Sequence, residues 1–303
     1  MVSDPVASIK PGGSDPDSRG ESAIWQVGAG RELDFSAGGM VMGILNTTPD
    51  SFSDGGEFSA VGAAVAHALQ MEAEGAGIID VGGESTRPGA AEVSEEEECE
   101  RVIPVIRRLS RELSERTLIS VDTSKASVAE AALAEGADII NDVTGLQGDE
   151  RMLEVAASCE AGLVIMHMQG TPRTMQAAPA YDDVVREVRE FFEASLGRCS
   201  RAGIDPRRIC FDPGIGFGKS LEHNLELLRG IARLRVPRRP LLVGVSRKSM
   251  IGKLIGSDAV DDRSWGTVAL TAYARDLGAE IHRVHEVRAN LDALRMIDAI
   301  AGR

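Results

Sequence analysis

Eight short apolar runs recur along this chain, each followed within a few residues by a polar or charged side chain, and no other feature restricts the possible folds as strongly. The runs are Met40–Leu45, Gly77–Asp80, Leu118–Val121, Asp138–Ile140, Leu163–Met166, Arg208–Phe211, Leu241–Val245 and Glu280–Val284. The polar groups that follow them are Asn46, Glu84, Asp122, Asn141, His167, Asp212, Lys248 and His285. Stretches of helical periodicity separate most of the runs. Strand and helix alternating eight times predict an α/β fold in which a closed parallel barrel is wrapped by helices, the (β/α)8 or TIM barrel. In such a barrel the strand ends line one mouth, so polar groups far apart in sequence converge there.

An internal repeat supports the same architecture. Glu74-Gly75-Ala76-Gly77-Ile78-Ile79-Asp80 returns as Glu135-Gly136-Ala137-Asp138-Ile139-Ile140-Asn141, and more loosely as Leu277-Gly278-Ala279-Glu280-Ile281. Each copy places a helix-ending glycine just before a β-branched strand. Residues 1–20, rich in Ser, Gly, Pro and Asp, read as a disordered tail. Residues 21–38 hold two β-prone pieces around Gly28 and Gly30, expected as a hairpin under the barrel, so 21–303 is expected to form one domain. Ser94 and Glu97 have capping-box spacing, which accounts for the acidic run Glu95–Glu98 as a helix start.

Composition narrows the class of partner. With 43% hydrophobic residues in 303, the chain can bury a large core, yet no apolar stretch approaches the ~20 residues that span a bilayer. A net charge of -14 argues against nucleic acid or an anionic membrane as partner. It leaves room for an anionic small molecule where cations cluster in a cleft. Cys99, Cys159, Cys199 and Cys210 are widely spaced and form no CxxC, as expected of reduced thiols in a cytoplasmic protein.

Two nucleotide motifs fail on inspection. The segment Asp212–Ser220 resembles a phosphate loop, but Pro213 stands where GxxxxGK[ST] needs glycine, and Lys219 stands where GxGxxG needs its last glycine. Its glycines are expected to let backbone approach a flat ligand. His67 and His223 fall in helical stretches and are expected at the surface. Asp122, Asn141 and Asp212 each follow an apolar run and should face the mouth. Buried carboxylates demand partners, and a ligand with several N–H donors, such as the guanidine-like edge of a pterin or guanine, would supply them. Arg283 and His285 are two apart, on one face of the last strand, and suit an anion such as phosphate. Lys248 can reach inward as a further donor, and Ser249–Gly252 could open a helix that favours an anionic group. The loops Asn46–Gly56 and Gly82–Ala90 combine Gly and Pro with reactive polar groups, as loops that close over a substrate do.

Seven segments taken together resemble dihydropteroate synthase: MGILNTTPDSFSDGG (42–56), DVGGESTRPGA (80–90), SVDTSK (120–125), INDVTG (140–145), DPGIGFGKS (212–220), SRKSMIG (246–252) and RVHEV (283–287). They run in one order from about residue 40 to 300. Thr47 and Ile215 depart from the residues common in the family, without removing a polar group.

The resemblance implies a transferase of folate biosynthesis that joins 4-aminobenzoate to (7,8-dihydropterin-6-yl)methyl diphosphate, giving 7,8-dihydropteroate and diphosphate. It implies that Asp122, Asn141, Asp212 and Lys248 hold the pterin ring, with Met166 against its face. Arg283 and His285 would hold the diphosphate, with Thr86 in contact. Asn46 would be the one protein ligand to Mg²⁺. Arg87, Pro88, Phe217 and Ser249 would form the aminobenzoate pocket, and Asp54 with Phe52 would order the first loop over it. The family also implies a homodimer through outer helices and sensitivity to sulfonamides as a target class. Two other functions share the pterin-binding features: a methyltetrahydrofolate corrinoid methyltransferase-like barrel and a non-catalytic pterin-binding paralogue.

Overall fold

A computed structural model describes residues 23–28, 30–47, 56–86, 90–171 and 173–303. The expected tail at 1–20 lies outside the described residues, as do Phe52, Asp54, Arg87 and Pro88.

Each apolar run becomes a parallel strand: β3 (Met40–Asn46), β4 (Ile78–Gly82), β5 (Leu118–Asp122), β6 (Ile139–Asp142), β7 (Gly162–Met166), β8 (Ile209–Asp212), β9 (Leu242–Val243) and β10 (Ile281–Val284). Their order in the sheet is β8-β7-β6-β5-β4-β3-β10-β9. A parallel bridge between Phe211 and Leu241, with the Phe211 N–H donating to the Pro240 carbonyl at 3.0 Å, brings β8 against β9 and closes the ring. β9 is the short member, two residues where the apolar run suggested five, with Leu241 joined to Phe211 by an isolated bridge.

Helices α1 (Gly56–Glu74), α2 (Glu95–Glu112), α3 (Ala126–Ala134), α4 (Met152–Ser158), α5 (Val184–Arg201), α6 (Leu221–Arg229), α7 (Ile231–Leu234), α8 (Ser249–Ile255) and α9 (Ser264–Asp276) occupy the connections between barrel strands, and α10 (Val287–Ala301) follows β10. The repeat has a geometric basis. Gly75, Gly136 and Gly278 adopt φ of +103°, +105° and +103°, so three helices turn into their following strands through one backbone conformation. A side chain there would also collide with a neighbouring element, at 2.5 Å from Leu291 for Gly75 and 2.8 Å from Ser110 for Gly136. Ser94 caps α2 by accepting the Glu97 N–H at 3.1 Å. Glu97 does not return the bond as a capping box requires; its carboxylate pairs with Arg101.

Strands buried on both faces have outward and inward layers. Outward residues pack against the helices in two clusters, one around Phe192 and Phe211 and one around Leu45, Val102 and Leu109. The inward bottom layer takes one residue from every barrel strand: Met42, Ile78, Leu118, Ile139, Val164, Cys210, Leu242 and Ile281. Beneath it lies the expected hairpin, β1 (Ile24–Val27) with β2 (Arg31–Asp34). Its Trp25 is fully buried in the same cluster and donates its indole N–H to the Arg208 carbonyl at 2.7 Å. The barrel is therefore plugged from below, and its free end is the mouth formed where the strands finish.

Candidate active site

Two residues beyond the bottom layer, the same eight strands present Ile44, Asp80, Ser120, Asn141, Met166, Asp212, Gly244 and Arg283. The period of two makes this the next inward layer, and it brings Asp80, Asp212 and Arg283, with Asn141, onto a face that is apolar one layer below. Asp80 is fully buried, and Asn141 and Asp212 are 4% and 6% exposed. Asp80 is the residue that sequence reasoning missed. The polar group assigned to its strand was Glu84, which instead lies on the loop beyond and pairs with Lys125 at 2.5 Å. Stepping two residues from Ile78 would have found Asp80, as it finds Asn141 from Ile139.

Arg283 organises this layer. Its Nε donates to Asp80 Oδ2 and its Nη2 to Asp122 Oδ2, each at 2.6 Å. Asn141 donates to the same Asp80 oxygen at 3.0 Å. Asp80 Oδ1 is buried with no hydrogen bond among the described residues. One guanidinium thus serves two carboxylates. Burial, reinforced by the Asp80 charge and opposed by Arg283, pushes the Asp122 carboxyl up to about 7. Burial likewise raises Asp212, whose Oδ1 accepts the Gly214 N–H at 2.7 Å. Lys248 is brought down to about 8 by burial, with Asp212 acting in the opposite sense and Arg283 adding to the fall. The cluster is short of donors, and a ligand edge carrying N–H groups would complete it.

The segment 213–219 forms one wall. Gly214, Gly216 and Gly218 have φ of +65°, +85° and +62°. A Cβ on Gly214 would lie 2.0 Å from the His167 carbonyl oxygen, and one on Gly218 2.3 Å from that of Gln169. These two glycines therefore serve the crossing of two loops, where sequence reasoning expected close approach to a ligand. Lys248 packs along Gly216 and sets its Nζ 4.0 Å above the centre of the Phe217 ring, a cation–π contact. Met166 is buried beside Gly214. His167 and Lys219 are joined through Nδ1 and Nζ at 3.0 Å. His223 is part-buried and forms a capping box with Ser220, a structural use of a histidine expected at the surface.

The remaining candidates sit around the rim. Asn46 is exposed at the end of β3, in register with Gly82, which is in register with Asp122. Thr86 is partly buried on the loop after β4. His285 follows β10 and shares a 2.9 Å contact through Nδ1 with Ser246 Oγ. Ser249 is exposed as the first residue of α8. A cleft lined by Gln176, Gly216, Lys219, Lys248, Ser249 and Lys253 separates the 213–219 segment from α8. Among the described residues, no group of three His, Cys, Asp or Glu side chains is placed to hold a metal ion, and no helix is long and apolar enough to cross a membrane.

Comparison with known proteins agrees with this geometry. The family model described as "Pterin binding enzyme" matches residues 42–285. The dihydropteroate synthase of Escherichia coli strain K12 is 50% identical over 259 residues, covering 86% of this chain and 90% of that protein. Dihydropteroate synthase of Xanthomonas albilineans, solved with 4-aminobenzoic acid, superposes with a TM-score of 0.85 at 46% identity, covering 93% of this chain and 100% of that one. The Burkholderia cenocepacia enzyme, solved with 7,8-dihydropteroate, gives 0.83 at 42% identity, covering 93% and 97%. The chain belongs to the pterin binding enzymes and, among them, to the dihydropteroate synthases, a family of transferases.

Proposed function

We propose that residues 21–303 act as one domain that condenses (7,8-dihydropterin-6-yl)methyl diphosphate with 4-aminobenzoate at the barrel mouth, releasing diphosphate and 7,8-dihydropteroate. One observation carries the assignment of roles: Asp80, Asn141 and Asp212 are buried in one layer with Arg283, which also binds Asp122 a step further out, a donor-poor cluster above a plugged barrel floor. The amino-pyrimidine edge of a pterin brings the N–H donors that this layer lacks. Asp122, Asn141, Asp212 and Lys248 hold that ring, with Met166 against its face. Phe217, Ser249, Arg87 and Pro88 receive the aminobenzoate, and Thr86 meets the diphosphate.

In the reaction the bond from the pterin methylene carbon to the diphosphate oxygen breaks, and the arylamine nitrogen bonds to that carbon and gives up a proton. Arg283 and His285 stabilise the charge that gathers on the leaving diphosphate. Asp122 and Asp54 offset the positive charge left on the pterin methylene. Because the arylamine is neutral, it needs no strong base before it attacks. A resident metal cage is not required: the exposed amide oxygen of Asn46 is a hard donor at the rim, suited to be the single protein ligand of an Mg²⁺ that otherwise keeps water and phosphate oxygens. When bound, Mg²⁺ supplies charge neutralisation of the diphosphate.

A homodimer fits the outer surface. Trp265 on α9 is 81% exposed, and Met296 and Ile300 on the adjoining α10 are 62% and 78% exposed, more apolar surface than a solvated helix pair needs. The four free thiols suit a cytoplasmic location.

The test is to incubate the protein with the pterin diphosphate, Mg²⁺ and 4-aminobenzoate and to measure diphosphate and dihydropteroate. Product that requires all three is expected. Pterin binding without product in their presence would refute the synthase activity.

A further inference from the structure

Three successive carbonyls in the 213–219 wall are each held by a different side chain. Gln176 Nε2 donates to Gly216 O at 2.7 Å, Lys219 Nζ to Phe217 O at 2.8 Å, and Tyr181 Oη to Gly218 O at 2.8 Å. Two of these donors are neutral. The third is a lysine only 2% exposed, and burying an ammonium is costly unless its protons are all used. They are: the same Nζ reaches the His167 carbonyl at 3.2 Å and His167 Nδ1 at 3.0 Å.

Three acceptors match the three protons of an ammonium when His167 Nδ1 is the accepting nitrogen. With Nδ1 accepting, the imidazole is neutral and carries its proton on Nε2. Burial and the neighbouring Lys248 make the charge harder to keep, lowering Lys219 to about 7, while burial and Lys219 lower His167 to about 3. His167 is itself wedged, its ring meeting Phe191 edge-on at 5.0 Å.

A neutral donor would pin the Phe217 carbonyl equally well, so the charge needs its own account. Lys219 lines the cleft beside α8 together with Lys248 and Lys253. Three lysines around one cleft are a local concentration of positive charge in a chain whose net charge is -14.

We propose that Lys219, held by His167, is a positioning residue for the arylamine: it fixes the backbone under the Phe217 ring and makes the cleft selective for an arylamine that carries a carboxylate. The inference rests on the synthase activity and on Phe217 lining the arylamine pocket.

The test compares wild type, Lys219→Met and His167→Phe by steady-state kinetics with 4-aminobenzoate and with the neutral analogue 4-aminobenzamide, alongside thermal melting. Lys219→Met should raise KM for 4-aminobenzoate at least tenfold and erase most of the preference for it over the amide. The pterin diphosphate KM should stay within twofold and kcat within threefold. His167→Phe keeps the ring packing but removes one of the three acceptors of the Lys219 ammonium, so it should raise both arylamine KM values several-fold and weaken the preference less than Lys219→Met does. An unchanged preference in Lys219→Met overturns the proposal, as does a parallel loss of kcat and both substrates' affinities that tracks melting temperature. If Lys219→Met does not fold, an unchanged arylamine KM in His167→Phe overturns it. An inactive wild type would instead remove the synthase activity on which the proposal stands.

Discussion

Removing the Arg283 side chain beyond its aliphatic stem, as in Arg283→Met, strips two carboxylates of their common partner in one step. Asp80 has no access to water and Asp122 is 11% exposed at its side chain, so neither can replace a 2.6 Å bond with hydration. Breaking a buried pair by deleting one member costs about 3–5 kcal/mol. The loss should depend on pH in a set direction. Without the guanidinium the Asp122 carboxyl, already raised by burial, is pushed further up, so the folded variant holds a proton that the unfolded chain gives up. Each pH unit over which that extra proton is held returns about 1.4 kcal/mol. The penalty should therefore be largest near pH 8 and about 1–2 kcal/mol smaller near pH 5.5, since Asp122 in the wild type already gains a proton around 7. Urea unfolding at the two pH values measures this directly. Adding Asp80→Asn removes one unpaired charge and should recover about 1–2 kcal/mol over the single variant. A loss below about 1 kcal/mol, or one equal at both pH values, would refute the view that Arg283 neutralises this layer.

Asp122 also sets a pH dependence of ligand binding. Its folded-state pKa lies above the ordinary value, so its stability contribution is present below about pH 4 and lost as pH rises through about 7. A pterin edge that donates to it needs the carboxylate, so pterin affinity should rise about tenfold per pH unit below 7 and level off above it; a flat calorimetric profile would exclude this role. Gly214→Ala forces a left-handed backbone onto a residue with a Cβ, and that Cβ would sit 2.0 Å from the His167 carbonyl oxygen. It should cost more than about 2 kcal/mol, visible as a lowered melting temperature. Trp25→Ala should lower the urea midpoint by the equivalent of about 3–5 kcal/mol while leaving pterin affinity within about twofold. A large loss of affinity would mean that the floor and the binding layer are not separable.

Much of the architecture is legible in the residues because a barrel strand buried on both faces reads as a dense apolar run, and the repeated Gly-Ala before three of the runs marks where a helix must end. The charged layer was partly legible by the same arithmetic. Asn141 and Asp212 finish their runs and stand out, whereas Asp80 is set between Ile79 and Val81 and looks like an interruption of the core. Its strand also continues to Gly82, which draws attention past it to the polar loop. Lys219 was beyond reach for a different reason. Its acceptors on His167 lie 52 residues away, and only the crossing of two loops through glycines at positive φ brings them within 3.2 Å. Read locally, Lys219 is a failed phosphate-loop lysine. Arg283 was expected to face an anion; in the folded chain its guanidinium is already engaged by Asp80 and Asp122, so its charge is shared before any ligand arrives.

The hairpin under the barrel has a kinetic consequence. With Trp25 filling the floor, the binding layer opens at the mouth, where, among the described residues, Phe217 and Lys248 form a ledge beside it. In a chamber entered from that end, the molecule that lies deepest would go in first and come out last, and one resting on the ledge would cork it.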